Sequence, residues 1–250
     1  MTALGAIVAQ KALSLFSSTL DFVYPRACRG CGDTAPDAGV YLCWDCLASI
    51  PTISRPYCSR CGDPAEGVID HQYVCTLCRR FDPPFDLARS AVRYRGIIRR
   101  ILHGFKYGED VCMTNDLVNM LDACAKAHFS RLRFDAVMGV PLHARRERER
   151  TYNQSRLLAG GLARRLRVPM ATTRCIVRRR ETASQTGLNA DGRRANVRGA
   201  FSVRDADWLQ GRTILLVDDV MTTGATVAEC AGTIKDAGAA AVYVVTVARG

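Results

Sequence analysis

Two groups of residues in this 250-residue chain have types and spacing that could do chemistry. The first is the run Ile214-Leu215-Leu216-Val217-Asp218-Asp219-Val220-Met221-Thr222-Thr223-Gly224-Ala225-Thr226. An apolar stretch leads into two adjacent carboxylates, then into a small, hydroxyl-rich turn. At the C-terminal end of a buried parallel strand, such a run meets the crevice where α/β sheets bind ligands. Small residues from Thr222 to Thr226 let backbone amides close around a phosphate, and the start of the following helix adds a favourable dipole. The threonine hydroxyls add donors, and Asp218 and Asp219 can accept hydrogen bonds from paired ribose hydroxyls. The run predicts a site for a phosphorylated ribose.

The second group is cysteine. Eight of the twelve cysteines form CxxC pairs: Cys28 and Cys31, Cys43 and Cys46, Cys58 and Cys61, Cys75 and Cys78. Two pairs bridged by a short hairpin supply four thiolates for a tetrahedral Zn²⁺. Gly32 and Gly62, each following a pair, allow the tight turn that points amides at the thiolates. Redox-active CxxC is the competing reading, and four closely spaced copies favour metal. The spacing favours sequential sites, Cys28/Cys31/Cys43/Cys46 and Cys58/Cys61/Cys75/Cys78, although an interleaved arrangement fits the same residues. His71 could replace a thiolate but reads as a loop histidine. Cys112, Cys124, Cys175 and Cys230 read as small buried hydrophobes.

The elements that must hold these groups follow from periodicity. Residues 1–20 are apolar but interrupted by Lys11, which suggests an amphipathic helix docked on its own protein, with a membrane-surface helix as the alternative. No apolar run reaches the ~18 residues a spanning helix needs, and the charge order is wrong for a secretory signal, so the expected location is cytoplasmic. Asp82-Pro83-Pro84-Phe85 reads as a stiff linker after the cysteine module. Beyond it, strands are expected at 88–94, 134–140, 212–217 and 240–247, with helices at 96–102, 117–129, 153–166 and 226–237. That alternation predicts an α/β fold with a mostly parallel sheet. Residues 178–201 show little periodicity and read as a long mobile loop. The domains expected are a lead-in at 1–27, a double zinc ribbon at 28–80 and an α/β domain at 81–250.

The formal charge is +11, carried almost entirely by arginine, since Lys11, Lys106, Lys126 and Lys235 are the only lysines. Such a balance suits phosphate-rich ligands or nucleic acid and says nothing of the fold.

The run around Asp218 closely resembles the phosphoribosyl pyrophosphate signature of type I phosphoribosyltransferases. The wider pattern resembles the ComF/GntX family: four CxxC pairs, Pro25-Arg26-Ala27-Cys28, Pro84-Phe85-Asp86, His103-Gly104-Phe105-Lys106-Tyr107, Val140-Pro141-Leu142-His143 through Tyr152-Asn153-Gln154, and Gln185-Thr186-Gly187-Leu188 with Arg193, Asn196, Val197 and Ala200-Phe201. The resemblance implies a type I phosphoribosyltransferase-like sheet flanked by helices behind an N-terminal zinc-ribbon module. It implies that Asp218 and Asp219 hold the ribose 2′- and 3′-hydroxyls. It also implies that Val220, Met221, Thr222, Thr223, Gly224, Ala225 and Thr226 bind phosphoribosyl pyrophosphate, with Met221 onward cradling its 5′-phosphate.

Pro141, Leu142 and His143 stand where the family has its pyrophosphate loop. Arg145, Arg146, Arg148 and Arg150 are candidates to neutralise the leaving pyrophosphate, with a solvated charged helix start as the alternative, which Arg150 fits better, and Lys106 could reach the pyrophosphate from the other side. Mg²⁺ is expected with the pyrophosphate, and Zn²⁺ as a structural ion. Thr186 replaces the family's usual serine and keeps its hydroxyl. Thr222 stands where purine-salvage members carry aspartate, which argues against hypoxanthine- or guanine-like acceptors. The reading is a phosphoribosyltransferase of unknown acceptor, linked as a family to competence and uptake of single-stranded DNA. The alternative is a non-enzymatic DNA- or protein-binding transformation factor that keeps the ribose-phosphate site as a sensor or scaffold. A purely electrostatic DNA binder has no need of the paired aspartates, which would repel phosphates.

Overall fold

The computed structural model describes residues 27–34, 39–108, 110–171, 175–182 and 187–250. The helix expected at 1–20, Pro25-Arg26 and Gln185-Thr186 lie outside the described residues. The chain divides into two compact units, Met1–Ser49 and Ile50–Gly250.

Each unit contains one cysteine knuckle, and the two are built alike. Residue 28 donates its amide to Asp33 O and Gly32 donates to Cys28 O, just as Cys58 donates to Asp63 O and Gly62 to Cys58 O. Gly32 and Gly62 both adopt positive φ, 93° and 70°, which a side chain would strain. The third and fourth cysteines of each set start a short helix, α1 (Trp44–Ala48) in the first unit and α2 (Thr76–Phe81) in the second.

The second unit centres on a four-stranded parallel sheet in the order β1-β6-β5-β2. Its strands are β1 (Leu87–Arg93), β2 (Ala136–Gly139), β5 (Thr213–Met221) and β6 (Ala241–Arg249). Between β2 and β5, β3 (Ile176–Arg178) and β4 (Phe201–Val203) form an antiparallel ribbon of their own. The helices are α3 (Ile97–Tyr107), α4 (Thr114–Phe129), α5 (Ala144–Arg150), α6 (Gln154–Leu166), α7 (Ala190–Val197), α8 (Ala206–Leu209) and α9 (Ala225–Asp236). Ile214, Leu216, Val242 and Val244 share one buried cluster with Val227, Ala231 and Ile234 of α9 and with Cys58, Cys61, Cys75 and Cys78. Strand residues alternate in direction, so Leu215 and Val217 turn to the opposite face, where α4 and α6 pack on each other and on the strands. The expected parallel, doubly covered sheet is therefore present.

Three expectations change. Asp82-Pro83-Pro84-Phe85 is no linker: Pro83 and Phe85 are buried, and the Arg60 guanidinium donates to Pro83 O at 2.7 Å and pairs with Asp82. Ile50–Gly250 accordingly form one compact unit that holds both the second knuckle and the sheet. Residues 178–201 are not one irregular loop, because they contain α7. Only Val197 of that helix is buried, which removes the apolar stripe that would have betrayed it. Finally, β5 runs on to Met221, so the acidic pair lies within the strand. Asp218 stands opposite Thr246 of β6, which a 2.6 Å hydrogen bond joins to Ser90 of β1.

Candidate functional site

The site is assembled by three close approaches at the C-terminal end of β5. The first is at Gly139, the last residue of β2. A Cβ there would stand 2.6 Å from Ser155 O and 2.7 Å from the Arg156 amide, so only glycine lets α6 start this close to the strand. Asn153 caps that start, accepting from the Arg156 amide at 3.2 Å while its own Nδ2 donates to Val140 O at 3.2 Å. The result places Ser155 Oγ 2.6 Å from Asp218 Oδ1, to which it donates.

The second approach brings α3 over the strand end. Ile98, Ile101, Leu102 and Phe105 make one buried stripe, which turns Lys106 inward. Lys106 Nζ lies 3.1 Å from Asp219 Oδ2, with the aspartate side chain 4% exposed. The contact is an ion pair without hydrogen-bond alignment. Tyr152 donates its hydroxyl to Phe105 O, fixing α3 against the segment between α5 and α6.

The third approach is the turn itself. Asp219 Oδ1 accepts from the Val220 amide at 2.6 Å, and Thr223 Oγ1 accepts from the Ala225 amide at 3.4 Å. Gly224, at φ 77°, then opens α9. Arg193 of α7 reaches the turn from outside, donating to Thr222 Oγ1 at 2.5 Å.

The electrostatics follow from burial. Loss of water raises the Asp218 carboxyl, and the neighbouring Asp219 raises it further; Ser155 and Lys106 hold it to about 6. For Lys106, burial works against the charge, but Asp219 and Asp218 outweigh it and push the ammonium above the usual lysine range. The site thus keeps one cation against two carboxylates, one of which titrates near neutrality.

The structure brings Asp218, Asp219, Lys106 and the turn from Val220 to Ala225 together. The other predicted residues sit at varying distances from that centre. Arg146 is half-buried, its guanidinium donating to Thr182 O at 2.8 Å, while Arg148 is exposed on the same helix. Arg145 pairs with Glu149 and Glu181, and Arg150 lies over the Tyr107 ring at 4.6 Å. Pro141, Leu142 and His143 line a separate cavity of about 370 Å³ beside β2, together with Met170, Ile176 and Arg178. That cavity does not include the acidic pair.

Ser155 and Arg178 were not singled out from the sequence, and Arg193 only as part of a family loop. Burial draws the Arg178 guanidinium below the usual arginine range, the charge on Arg146 adds to this, and Asp218 opposes it. A serine one position inside a helix carries no sequence signal of its own.

The eight cysteines resolve into the sequential sets, with the four sulfurs of each within 4.8 Å of one another. Cys31 and Cys43 Sγ lie 3.6 Å apart, as do Cys61 and Cys75. Four thiolates around Zn²⁺ at ~2.3 Å stand about 3.8 Å from one another, so both sets fit the ion. Amide donors point at the sulfurs, Gly30 and Cys43 at Cys28 and Cys75 at Cys58, each at 3.3 Å. For Cys28 burial acts to raise the thiol, yet the amides of Cys43, Cys31 and Gly30 bring it down to about 6. Of the other cysteines, Cys124, Cys175 and Cys230 are buried as expected and Cys112 is half-buried.

Comparison with known proteins agrees with this architecture. A double zinc ribbon domain matches residues 19–80 and a phosphoribosyl transferase domain matches residues 153–250. The DNA utilization protein YhgH of Escherichia coli K12 is 31% identical over 207 residues, 81% of this chain and 88% of its own. The chain belongs to the ComF/GntX family.

Competence protein F of Haemophilus influenzae is 31% identical to this family member, covering 83% of this chain and 90% of its own. Competence protein ComFC of Bacillus subtilis is 26% identical over 80% of each. Among solved structures, the allosteric regulatory enzyme of purine biosynthesis aligns at TM-score 0.35 and 24% identity, covering 53% of this chain and 25% of that enzyme. The fold assignment for this ComF/GntX protein rests on its own sheet order. No helix among the described residues is long and apolar enough to cross a membrane.

Proposed function

We propose that this protein binds phosphoribosyl pyrophosphate, with Mg²⁺, at the end of β5, and that it serves the handling of DNA during competence. The observation that carries the reading is the pairing of Asp218 and Asp219 with Lys106 immediately before a glycine-opened helix. Paired carboxylates accept from vicinal hydroxyls, and the amides and hydroxyls of the turn suit a 5′-phosphate. Asp218 and Asp219 would orient the ribose. Lys106, with Arg146 and Arg148, would supply positive charge where pyrophosphate departs. Carboxylate and phosphate oxygens suit Mg²⁺, which when bound would neutralise charge on the pyrophosphate.

The role in competence draws on the names of the relatives, two of which are called competence proteins and one a DNA utilization protein. The second reading, a DNA- or protein-binding factor that keeps the site as a sensor or scaffold, is favoured by the net charge of +11. Calorimetric titration of phosphoribosyl pyrophosphate with Mg²⁺ tests the first. Wild type should bind and the Asp218→Asn, Asp219→Asn double variant should not. Absence of binding by wild type would leave the second reading in its scaffold form, whose signature is single-stranded DNA affinity falling steeply with salt.

A further inference from the structure

One side chain, Arg249, joins the second four-cysteine site to the sugar-phosphate turn. It lies on β6 and is 3% exposed. Its Nη1 donates to Met221 O at 2.9 Å, at the point where β5 gives way to the turn. Its Nη2 lies 3.0 Å from Asp63 Oδ1 and 3.8 Å from Cys61 Sγ. Cys61, Cys78, Thr223, Gly224 and Arg249 all line one small cavity, so knuckle and turn are direct neighbours.

Charge explains why an arginine stands there. Four thiolates around Zn²⁺ leave a net double negative charge, and this set is buried at all four cysteines. Buried charge persists only when compensated. Arg89 and Arg249, both buried, lie close enough for their charge to act on it. Arg89 Nη2 donates to Ser59 O at 3.0 Å within the knuckle and touches no part of the turn. Arg249 alone of the two also holds the turn. The knuckle is seated firmly enough to transmit this restraint: Ala88 of β1 donates to Arg60 O at 2.8 Å, and a Cβ on Gly62 would stand 3.1 Å from Ala88 O.

We propose that Arg249 is a positioning residue: the metal-bearing knuckle and Asp63 hold its guanidinium, and the guanidinium holds Met221 O, so that order in residues 221–224 depends on the second metal site. The effect on ligand affinity rests on the sugar-phosphate reading above; the effect on the turn does not.

The test uses the full, metal-loaded chain and reads both ends of the side chain. In Arg249→Met, with metal content retained, hydrogen exchange over residues 220–226 should rise about tenfold while residues 136–139 stay as in wild type. With cobalt(II) replacing zinc, the thiolate-to-metal absorption should shift, because Cys61 loses its charged neighbour. Phosphoribosyl pyrophosphate affinity should fall in parallel.

Unchanged exchange in the turn, an unchanged cobalt spectrum, or a rise in exchange that extends equally to residues 136–139 overturns the proposal. Should Arg249→Met not fold, Asp63→Asn carries the same test, with a rise of about threefold expected and no change overturning the proposal. If wild type binds no phosphoribosyl pyrophosphate, the sugar-phosphate reading fails, and the exchange and cobalt results still decide the coupling.

Discussion

At the scale of single residues, Asp218 sets function against stability. Its folded-state pKa of about 6 lies above the ordinary value of 3.8, so folding takes up a proton between those limits. The resulting penalty is absent below about pH 4, grows as pH rises and is complete above about pH 6. Asp218→Asn keeps an oxygen for the Ser155 hydroxyl and the Asp219 amide and removes the buried charge. It should therefore stabilise the protein at pH 7.5 by about 1–3 kcal/mol, with no gain near pH 4, while weakening ribose binding. Urea unfolding of both proteins at the two pH values checks this, and equal stability at pH 7.5 would show that Asp218 carries no penalty. Lys106→Met acts in the opposite direction, because it strips the cation from two carboxylates. It should cost about 3 kcal/mol at pH 7.5 and less at pH 5, where Asp218 is protonated.

At the scale of elements, the site depends on how closely α6 and α3 approach the sheet. Gly139→Ala would drive a methyl into Ser155 O, and backbone cannot yield as a flexible side chain can. The expected loss is about 2–4 kcal/mol in urea, with the pH dependence of ligand binding moving upward because Ser155 no longer lowers the Asp218 pKa. The strands and larger helices were readable in the sequence because each buries an apolar face with a clear period. The acidic run was readable because its residue types have few other uses together. What escaped was held by other forces. α7 rests on its Asn189 cap, which accepts from the Gly192 amide at 2.8 Å, and on Arg194 over the Phe81 ring at 4.3 Å. Such polar and cation–π contacts leave no periodic trace. The continuation of β5 through Asp218 and Asp219 was hidden because charges inside a strand read as its end until Lys106, distant in sequence on α3, is seen to lie against Asp219.

At the scale of the whole molecule, the two metal sites resemble each other locally and differ in what surrounds them. In the first, Cys31 is exposed and Trp44 and Leu47 present large apolar surfaces to solvent. The second is buried at every cysteine and shares its apolar cluster with Phe85, Ala88, Leu216 and Val244. The second ribbon thus packs as part of the core that the sheet builds. The consequence is a prediction about truncation. A fragment of residues 50–250 keeps the knuckle, both compensating arginines and the full cluster, and should melt cooperatively with one bound zinc. A fragment of residues 81–250 keeps the entire sheet but bares the side of Phe85, Ala88 and Arg249 that the knuckle covers, leaving two buried arginines without their negative partner. It should show no cooperative melting, since loss of apolar cover and unpaired buried charge each remove a sizeable part of a stability that is only about 5–15 kcal/mol in all. Calorimetry with zinc analysis on the two fragments decides it: cooperative melting of residues 81–250 near the temperature of the longer fragment would mean that the knuckle is an appendage, and that Arg249 gains nothing from the metal site beside it.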